Sequence, residues 1–501
     1  MFDTFTPLQW LACFCTTALV GTWVKGRIVT RDYPLPPGPP GHWFWGNAMP
    51  RSQIAYQFAR WVDEYGPVVS LRPRNKVIII IGRYEAACDL MEKEGGALAD
   101  RPRLIAAGEI FSRNMRLLLT RYGEQFKRLR KAAHTHLQPK AVVAYEPLQM
   151  HNAKNVILDI LDNPALHMMH ARRYSASAMM KITYGKSTPT DMTDPEMARV
   201  LKCMHQFQAA MRPGRYLVDT FPFLKYVPGY GGDLERWRKD ELALFGGLMN
   251  RVKTNMDNDK AEACFMRYLI EHVDDHQLSS EEMTYLGGTF FGAGFDTTTV
   301  AIIVQIMAAA CHPEEQAKVQ EELDMVVGHD RAPTFSDQDM LPQLHAFTLE
   351  ALRWRPVTPI GFAHRATKDI IWKGYCIPEG ATVFGNHWAI TRDPSVFPDP
   401  EKFDPGRWIN SEGKVRTDIH SFTFGFGRRV CPGQHLANRS IFINTSLLFW
   451  SFRISQNPLA PIDTMSFDNG VVTHPQQFDA IFEPRMNKAV LKQMMENYAK
   501  D

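Results

Sequence analysis

Phe424 to Gly433 read FGFGRRVCPG, a single cysteine set between a basic, glycine-broken run and a Pro-Gly turn. Gly425, Gly427 and Gly433 permit tight backbone approach, and Pro432 restricts the turn after Cys431. A helix-like run starts at His435, so its N-terminus faces the thiol, and Arg428 and Arg429 lie beside it in sequence. A helix N-terminus and basic neighbours both favour thiolate, the form that acts as nucleophile, redox group or metal ligand.

The eight cysteines of the 501-residue chain are scattered, with no CxxC pair and no zinc-like spacing, so neither a disulfide framework nor a zinc site is expected. A cysteine nucleophile of the protease kind lacks a histidine partner of comparable signal. Net charge is +3, with 57 basic and 54 acidic residues interspersed, which excludes a strongly basic nucleic-acid binder.

The chain starts with an apolar stretch. Pro7 to Val24 is uncharged, and Lys25, Arg27 and Arg31 follow it. Basic residues after the apolar run, with Asp3 before it, favour a retained anchor over a cleaved signal and place the remainder on the cytosolic side. Residues 1–25 are therefore expected to be a membrane anchor, and 26–41, ending in YPLPPGPPG, a basic and proline-rich stiff linker. A single catalytic domain is expected over 42–501.

That body reads as mainly helical with small β-sheets. GPVVSLRPRNKVIIIIGR, Gly66 to Arg83, predicts a hairpin, and β-like pieces return around Asp369 to Ala381. Helical patterns cover Tyr84 to Glu92, Asn114 to Thr135, Gln149 to Asn163, Tyr174 to Tyr184, Glu196 to Ala210, Leu234 to Asp257, Ser279 to Cys311 and Glu314 to Val327. The segment from Ser279 is capped by serine and then nearly all apolar, which predicts a helix through the centre of the body. Its interior holds Gly287, Gly288, Gly292 and Gly294, followed by Asp296, Thr297 and Thr298. Those glycines admit either a bulky group against the backbone or close helix packing, with threonine bonded back to its own helix. Asp296 in mid-run argues against a membrane span.

Further on, Glu350 and Arg353 in LEALRWRP stand three residues apart on one helical face, and Arg407 follows in EKFDPGRWI. These signals together resemble the cytochrome P450 monooxygenases. Phe424, Gly427, Arg429, Cys431 and Gly433 match the haem-binding signature, and Ala293 to Thr298 the oxygen-activation helix. Glu350 and Arg353 match the Glu-x-x-Arg pair, and Phe403, Pro405, Arg407 and Trp408 the segment completing its network.

The resemblance implies a cytochrome P450 fold over essentially the whole chain, with an N-terminal membrane helix. It implies haem b as cofactor, with Cys431 as its proximal thiolate and metal ligand. Thr297 would hold water at the oxygen site, and Asp296 would relay protons. Arg130, His364 and Arg429 would bind the haem propionates, Phe424 would shield the sulfur, and Gly433 would complete the ligand loop. Glu350, Arg353 and Arg407 would support the site without touching the reaction.

The sequence departs from the family at Phe126, where a tryptophan usually donates its indole N–H to a propionate; Lys127 or water is the expected substitute. No nucleotide fingerprint or flavoprotein segment is present, so NADPH-cytochrome P450 reductase is the implied electron donor. Lys127, Arg128, Lys131, Arg428 and Arg439 are candidates for its docking face.

Expected pocket segments are rich in apolar residues such as Phe290, Phe291 and Val471, implying an apolar organic substrate. The motif wording looks most like fungal enzymes of secondary metabolism, with a terpenoid the favoured substrate and the endoplasmic reticulum membrane the expected location. Sterol or xenobiotic oxidation, a non-oxidative haem-thiolate isomerase and a haem sensor are the alternatives; the Asp296-Thr297 pair favours oxygen activation over the isomerase, and reductase-supported turnover would separate the sensor.

Overall fold

The computed structural model describes residues 32–74, 76–186 and 195–498. The expected anchor at 1–25, and the start of the linker, lie outside the described residues. The rest of the linker does not hang free. Ser70 donates its hydroxyl to Pro36 O (2.6 Å) and its N–H to Pro37 O (2.8 Å), while Cys376 N–H bonds Pro34 O (2.8 Å). The prolines have no N–H to satisfy, and their carbonyls dock the segment onto β-strands of two sheets.

Its helices of ten or more described residues are α1 (Ile54–Tyr65), α2 (Glu124–Leu137), α3 (Glu146–Asp162), α4 (His167–Tyr184), α5 (Pro195–Met211), α6 (Gly232–Asp257), α7 (Ser280–Cys311), α8 (Pro313–Val326), α9 (Pro342–Trp354), α10 (Gln434–Ser451) and α11 (Lys488–Asn497). The helical pattern expected from Asn114 begins ten residues later, at Glu124. Arg113 and Asn114 adopt left-handed φ of 47° and 60°, which bends the chain into turns before α2.

The predicted hairpin is present as β1 (Val68–Leu71) and β2 (Ile78–Ile81), paired antiparallel with Val68 opposite Ile81. Strands β3 (His364–Arg365), β4 (Ile370–Trp372), β5 (Tyr375–Ile377) and β6 (Thr382–Gly385) follow. The main sheet has the order β1-β2-β6-β3, and β6 joins β2 in parallel. All four isoleucines of β2 are buried, as a central strand covered on both faces requires. Two-stranded sheets β4-β5 and β7 (Phe452–Gln456) with β8 (Ala480–Pro484) complete the β structure.

Helix α7 organises the core. Its start is a capping box in which Ser279 Oγ accepts from Glu282 N–H (3.1 Å) and Glu282 accepts from Ser279 N–H (2.9 Å). Its second half, Val300 to Ala310, is buried on every side and joins one core with α3, α8, α9 and α10. Its first half packs with α4, α5 and α6 in a second core. Among the described residues it is the one helix long and apolar enough to cross a membrane, but it is mostly buried inside the protein. Hydrophobic length alone does not separate these two fates.

Candidate active site

The cysteine loop is bent by three left-handed residues, Phe422 (φ 50°), Gly425 (φ 81°) and Gly427 (φ 48°). A Cβ at Gly427 would sit 2.7 Å from Met91 O, so no other residue fits there unshifted. Cys431 N–H bonds Phe424 O (2.8 Å), closing the loop, and Gly433 caps α10 directly after it.

The basic neighbours of the thiol are not those adjacent in sequence. Arg428 reaches the Tyr122 hydroxyl (3.1 Å), and Arg429 donates to Ala99 O (2.6 Å) and Thr120 O (2.8 Å). Arg130 of α2 takes their place, donating to Val430 O (2.6 Å) with its charge toward Cys431. Burial pushes the Cys431 thiol up, against the Gly433 backbone N–H and Arg130, which pull it down. The protein's own charges therefore do not make the thiolate expected from Arg428 and Arg429; a bound cation would complete the compensation.

Cys431 borders a cavity of about 370 Å³. Arg101, His364, Arg130 and Arg429 line one side of it. Burial depresses Arg101 to about 9 and Arg429 to about 10, and burial together with the charges of Arg101 and Arg429 holds His364 at about 3, a neutral imidazole beside the buried guanidinium groups. The nearby carboxylate, Asp100, is already engaged by Arg121 (2.6 Å) and Arg365 (3.3 Å). Buried cations with a spent counter-ion suit an anionic ligand, as a thiol under a cation suits a metal, so this donor set fits a haem. Phe126 lies 3.6 Å beneath the Arg429 guanidinium and holds it by stacking. Lys127, the expected stand-in for the missing indole donor, instead pairs with Glu124 at the surface (2.6 Å).

Helix α7 forms the facing wall. Ala293 is exposed in mid-helix and nothing lies within 4 Å of a Cβ built at Gly292, so this turn borders the cavity. The other glycines serve packing: a Cβ would overlap Met266 at Gly287, Phe245 at Gly288 and Met179 at Gly294. Both readings of the glycine run are thus realised, at different positions. Thr297 lines the cavity and donates its hydroxyl to Ala293 O (2.7 Å), the local bond open to a helical threonine. That bond leaves the oxygen's acceptor capacity toward the cavity.

Asp296 accepts from His474 Nε2 (2.8 Å), and His474 Nδ1 lies 3.2 Å from Asp468. Gln208 of α5 donates to the second Asp296 oxygen at 3.4 Å. A buried ion pair, Arg116 with Glu241, lines another part of the wall, and Arg116 lies 4.0 Å over the Phe207 ring. Sequence reasoning missed Arg101 and Glu241, and although Arg116 and His474 fall within expected pocket segments (Leu104 to Leu118 and Gly470 to His474) it gave them no role, because each meets a partner from a distant segment. A charged residue within an otherwise apolar pocket segment was the available signal.

Glu350 and Arg353, near the end of α9, meet Arg407 outside the residues that line the cavity. Arg353 forks onto Glu350 at 2.7 and 2.8 Å with both side chains fully buried. Glu350 also accepts from Arg407 Nε (3.2 Å), Trp408 Nε1 (2.9 Å) and Asp404 N–H (2.9 Å). The arginine's remaining N–H groups reach Thr391 O (3.0 Å) and Pro400 O (2.8 Å). The network ties α9 to the segment preceding the cysteine loop.

A central helix facing a single-cysteine loop across an apolar cavity defines a haem-protein architecture, and comparison with known proteins agrees. The family model described as cytochrome P450 matches residues 36–482. Cytochrome P450 monooxygenase 64 of Postia placenta is 51% identical over 469 residues, covering 94% of each chain. Cytochrome P450 monooxygenase 113 of the same fungus is 48% identical over 489 residues, 97% of this chain and 99% of its own. A cytochrome P450 monooxygenase of Armillaria gallica is 34% identical over 478 residues, 91% of each. This chain belongs to the cytochrome P450 family. It is a monooxygenase whose cofactor is haem, with iron bound by a cysteine thiolate.

Proposed function

We propose that Cys431 is the thiolate ligand and that the protein oxidises an apolar fungal secondary metabolite, a terpenoid in the first instance. The observation that carries this reading is the cavity bordered by Cys431 on one side and by Ala293, Asp296 and Thr297 on the other. Arg101, Arg130, Arg429 and His364 would hold the haem carboxylates, with Phe126 steadying Arg429 in place of a direct donor.

When bound, haem supplies the redox chemistry, in which dioxygen and two electrons from NADPH place one oxygen atom in the substrate and release the other as water. Phe290, Phe207 and Val472 among the cavity residues exclude water and hold an apolar molecule. The Thr297 hydroxyl orients a water at the cavity, and Asp296 passes protons to it from the polar side of the wall. Glu350, Arg353 and Arg407 would support the site from outside the cavity by tying α9 to the segment that precedes the cysteine loop.

Electrons would come from a separate NADPH-cytochrome P450 reductase. Of the candidate docking residues, Lys127 pairs with Glu124, Arg439 with Glu146, and Arg128 with Glu282 (3.3 Å), which leaves Lys131 and Arg428 the stronger candidates. A membrane location is supported by an exposed aromatic surface at the linker end of the body. Trp43 and Trp45 are exposed there, Phe221, Phe223 and Tyr226 are exposed on a second segment, and Arg74 stacks on both Trp45 (5.2 Å) and Phe221 (5.3 Å). Aromatic and basic groups on one face suit a lipid interface. We place the protein on the endoplasmic reticulum membrane with residues 1–25 as anchor, 26–41 as linker and 42–501 as one cytosolic domain.

The test is a carbon monoxide difference spectrum of the dithionite-reduced, haem-loaded protein beside Cys431→Ala. A strongly red-shifted Soret band in wild type, lost in the variant, is expected, followed by reductase-dependent oxygenation of fungal terpenoids. A band retained in the variant overturns the ligand assignment, and terpenoids inert beside an oxidised sterol or xenobiotic overturn the substrate class.

A further inference from the structure

Asp296, which the proposed function uses to pass protons, does not stand alone at the cavity. The loop between Phe467 and Pro475, two residues bridged to each other, carries His474 up to it. Asp468 builds that loop: it accepts the backbone N–H groups of Gly470 (3.1 Å) and His474 (3.1 Å) on one oxygen and faces His474 Nδ1 with the other (3.2 Å). Thr473 N–H to Val357 O (3.0 Å) ties the same loop to the segment after α9. With its backbone held and Nδ1 directed at Asp468, the imidazole has Nε2 left for Asp296, at 2.8 Å. Exposure rises along the row, from 14% for the Asp296 side chain to 21% for His474 and 38% for Asp468. Two carboxylates with an imidazole between them thus run from the cavity wall to the surface.

We propose that His474 is a positioning residue for oxygen activation: clamped by Asp468, it fixes the Asp296 carboxylate at the cavity, and its protonation state sets how oxygen reduction is partitioned. The inference rests on the reading of Asp296 as the proton-passing group. Burial lowers the basicity of His474, but hydrogen bonds and charge from Asp296 and Asp468 outweigh it and raise its pKa to about 9. Those carboxylates are the charged groups facing the ring from α7 and from its own loop; Gln208, facing Asp296 from α5, is neutral. A protonated His474 donates from both ring nitrogens and satisfies both acids. Once neutral, it can donate to only one of them, and the clamp on Asp296 weakens.

Partition is readable without knowing the substrate. With reductase and NADPH alone, one NADPH, one proton and one dioxygen give hydrogen peroxide; two NADPH, two protons and one dioxygen give two waters. Proton supply at the cavity decides between them. The experiment measures peroxide formed per NADPH consumed from pH 6.5 to 9.5 for the haem-loaded wild type and for His474→Leu, His474→Gln, Asp468→Asn and Asp296→Asn. In parallel, nitrogen-15 histidine spectra of the carbon monoxide-bound ferrous protein follow the ring directly, assigned by loss of its signal in His474→Gln.

The expected wild-type result is a peroxide fraction that is low below pH 8 and climbs near pH 9, together with a histidine signal titrating there. In Asp468→Asn both midpoints move to lower pH. His474→Leu shows a peroxide fraction raised roughly tenfold and flat with pH, and His474→Gln, which keeps a neutral amide donor group, falls between. If His474→Leu does not load haem, His474→Gln and Asp468→Asn carry the same comparison. A peroxide fraction changed in Asp296→Asn but matching wild type in the His474 and Asp468 variants overturns this inference alone. No change in Asp296→Asn overturns the underlying assignment of Asp296. A His474 signal titrating near its ordinary 6.5 overturns the clamp itself.

Discussion

The two sides of the cavity are built by opposite means. Behind the cysteine loop, Glu350 is fully buried and accepts from Arg353, Arg407, Trp408 and Asp404, and Arg353 spends its other N–H groups on carbonyls. On the α7 side, Asp296, His474 and Asp468 are partly exposed and meet across 178 residues of chain separation. The first arrangement has no slack, because a desolvated charge that loses its partner has nowhere to turn. The second keeps access to water and can exchange protons. Rigidity sits where a ligand loop must be held, and adjustable polarity where protons must arrive.

The contrast breaks most easily at Glu350. Glu350→Ala strands Arg353 in the core, and a loss of about 3–5 kcal/mol is expected, seen as poor recovery of haem-loaded protein and a lower denaturation midpoint. A variant of near wild-type stability would show that the network is not the rigid half.

On the α7 side the corresponding cost depends on pH. The folded-state pKa of His474, about 9, stands above its ordinary value of 6.5, so its contribution to stability is fully present below pH 6.5 and is lost as pH rises through 9. The stability gap between wild type and His474→Gln is therefore expected to be at most about 3 kcal/mol at pH 6 and to close by pH 10, as read by denaturant titration. A gap constant with pH would erase the distinction between the two sides.

The glycines of α7 sharpen it further. Gly288→Ala drives a methyl into Phe245 and is expected to cost about 1–3 kcal/mol, whereas Gly292→Ala meets open space and gains up to about 1 kcal/mol of helix propensity. Thermal midpoints of the pair test this, and a narrower substrate range is expected for the second. The smallest effect belongs to Phe126→Leu, which keeps apolar volume but removes the ring under Arg429; a loss of about 1 kcal/mol is expected in unfolding titrations.

Much of the fold was legible because its signals are local. The serine cap and apolar run of α7, the isoleucine strand β2 and the Glu350–Arg353 spacing each lie within a few turns or strand residues, where period and capping chemistry act directly. The start of α2 was misplaced because left-handed residues at 113 and 114 leave no mark on hydrophobic periodicity. The thiol's neighbourhood was misjudged for a related reason. Arg428 and Arg429 are adjacent to Cys431 along the chain, but the left-handed turns at Gly425 and Gly427 send their side chains to Tyr122, Ala99 and Thr120.

By itself, the sequence determined the cysteine loop, the central helix with its acid and threonine, the Glu350–Arg353 spacing and thereby the family, since each depends on residues close together in the chain; that the pair is buried came from the structure. Only the tertiary structure decided which cation faces the thiol, which glycines pack and which open onto the cavity, what holds Phe126 against Arg429, and that His474 closes on Asp296. Those are contacts between segments far apart in sequence, and their partners are selected by packing and burial, which no local pattern encodes.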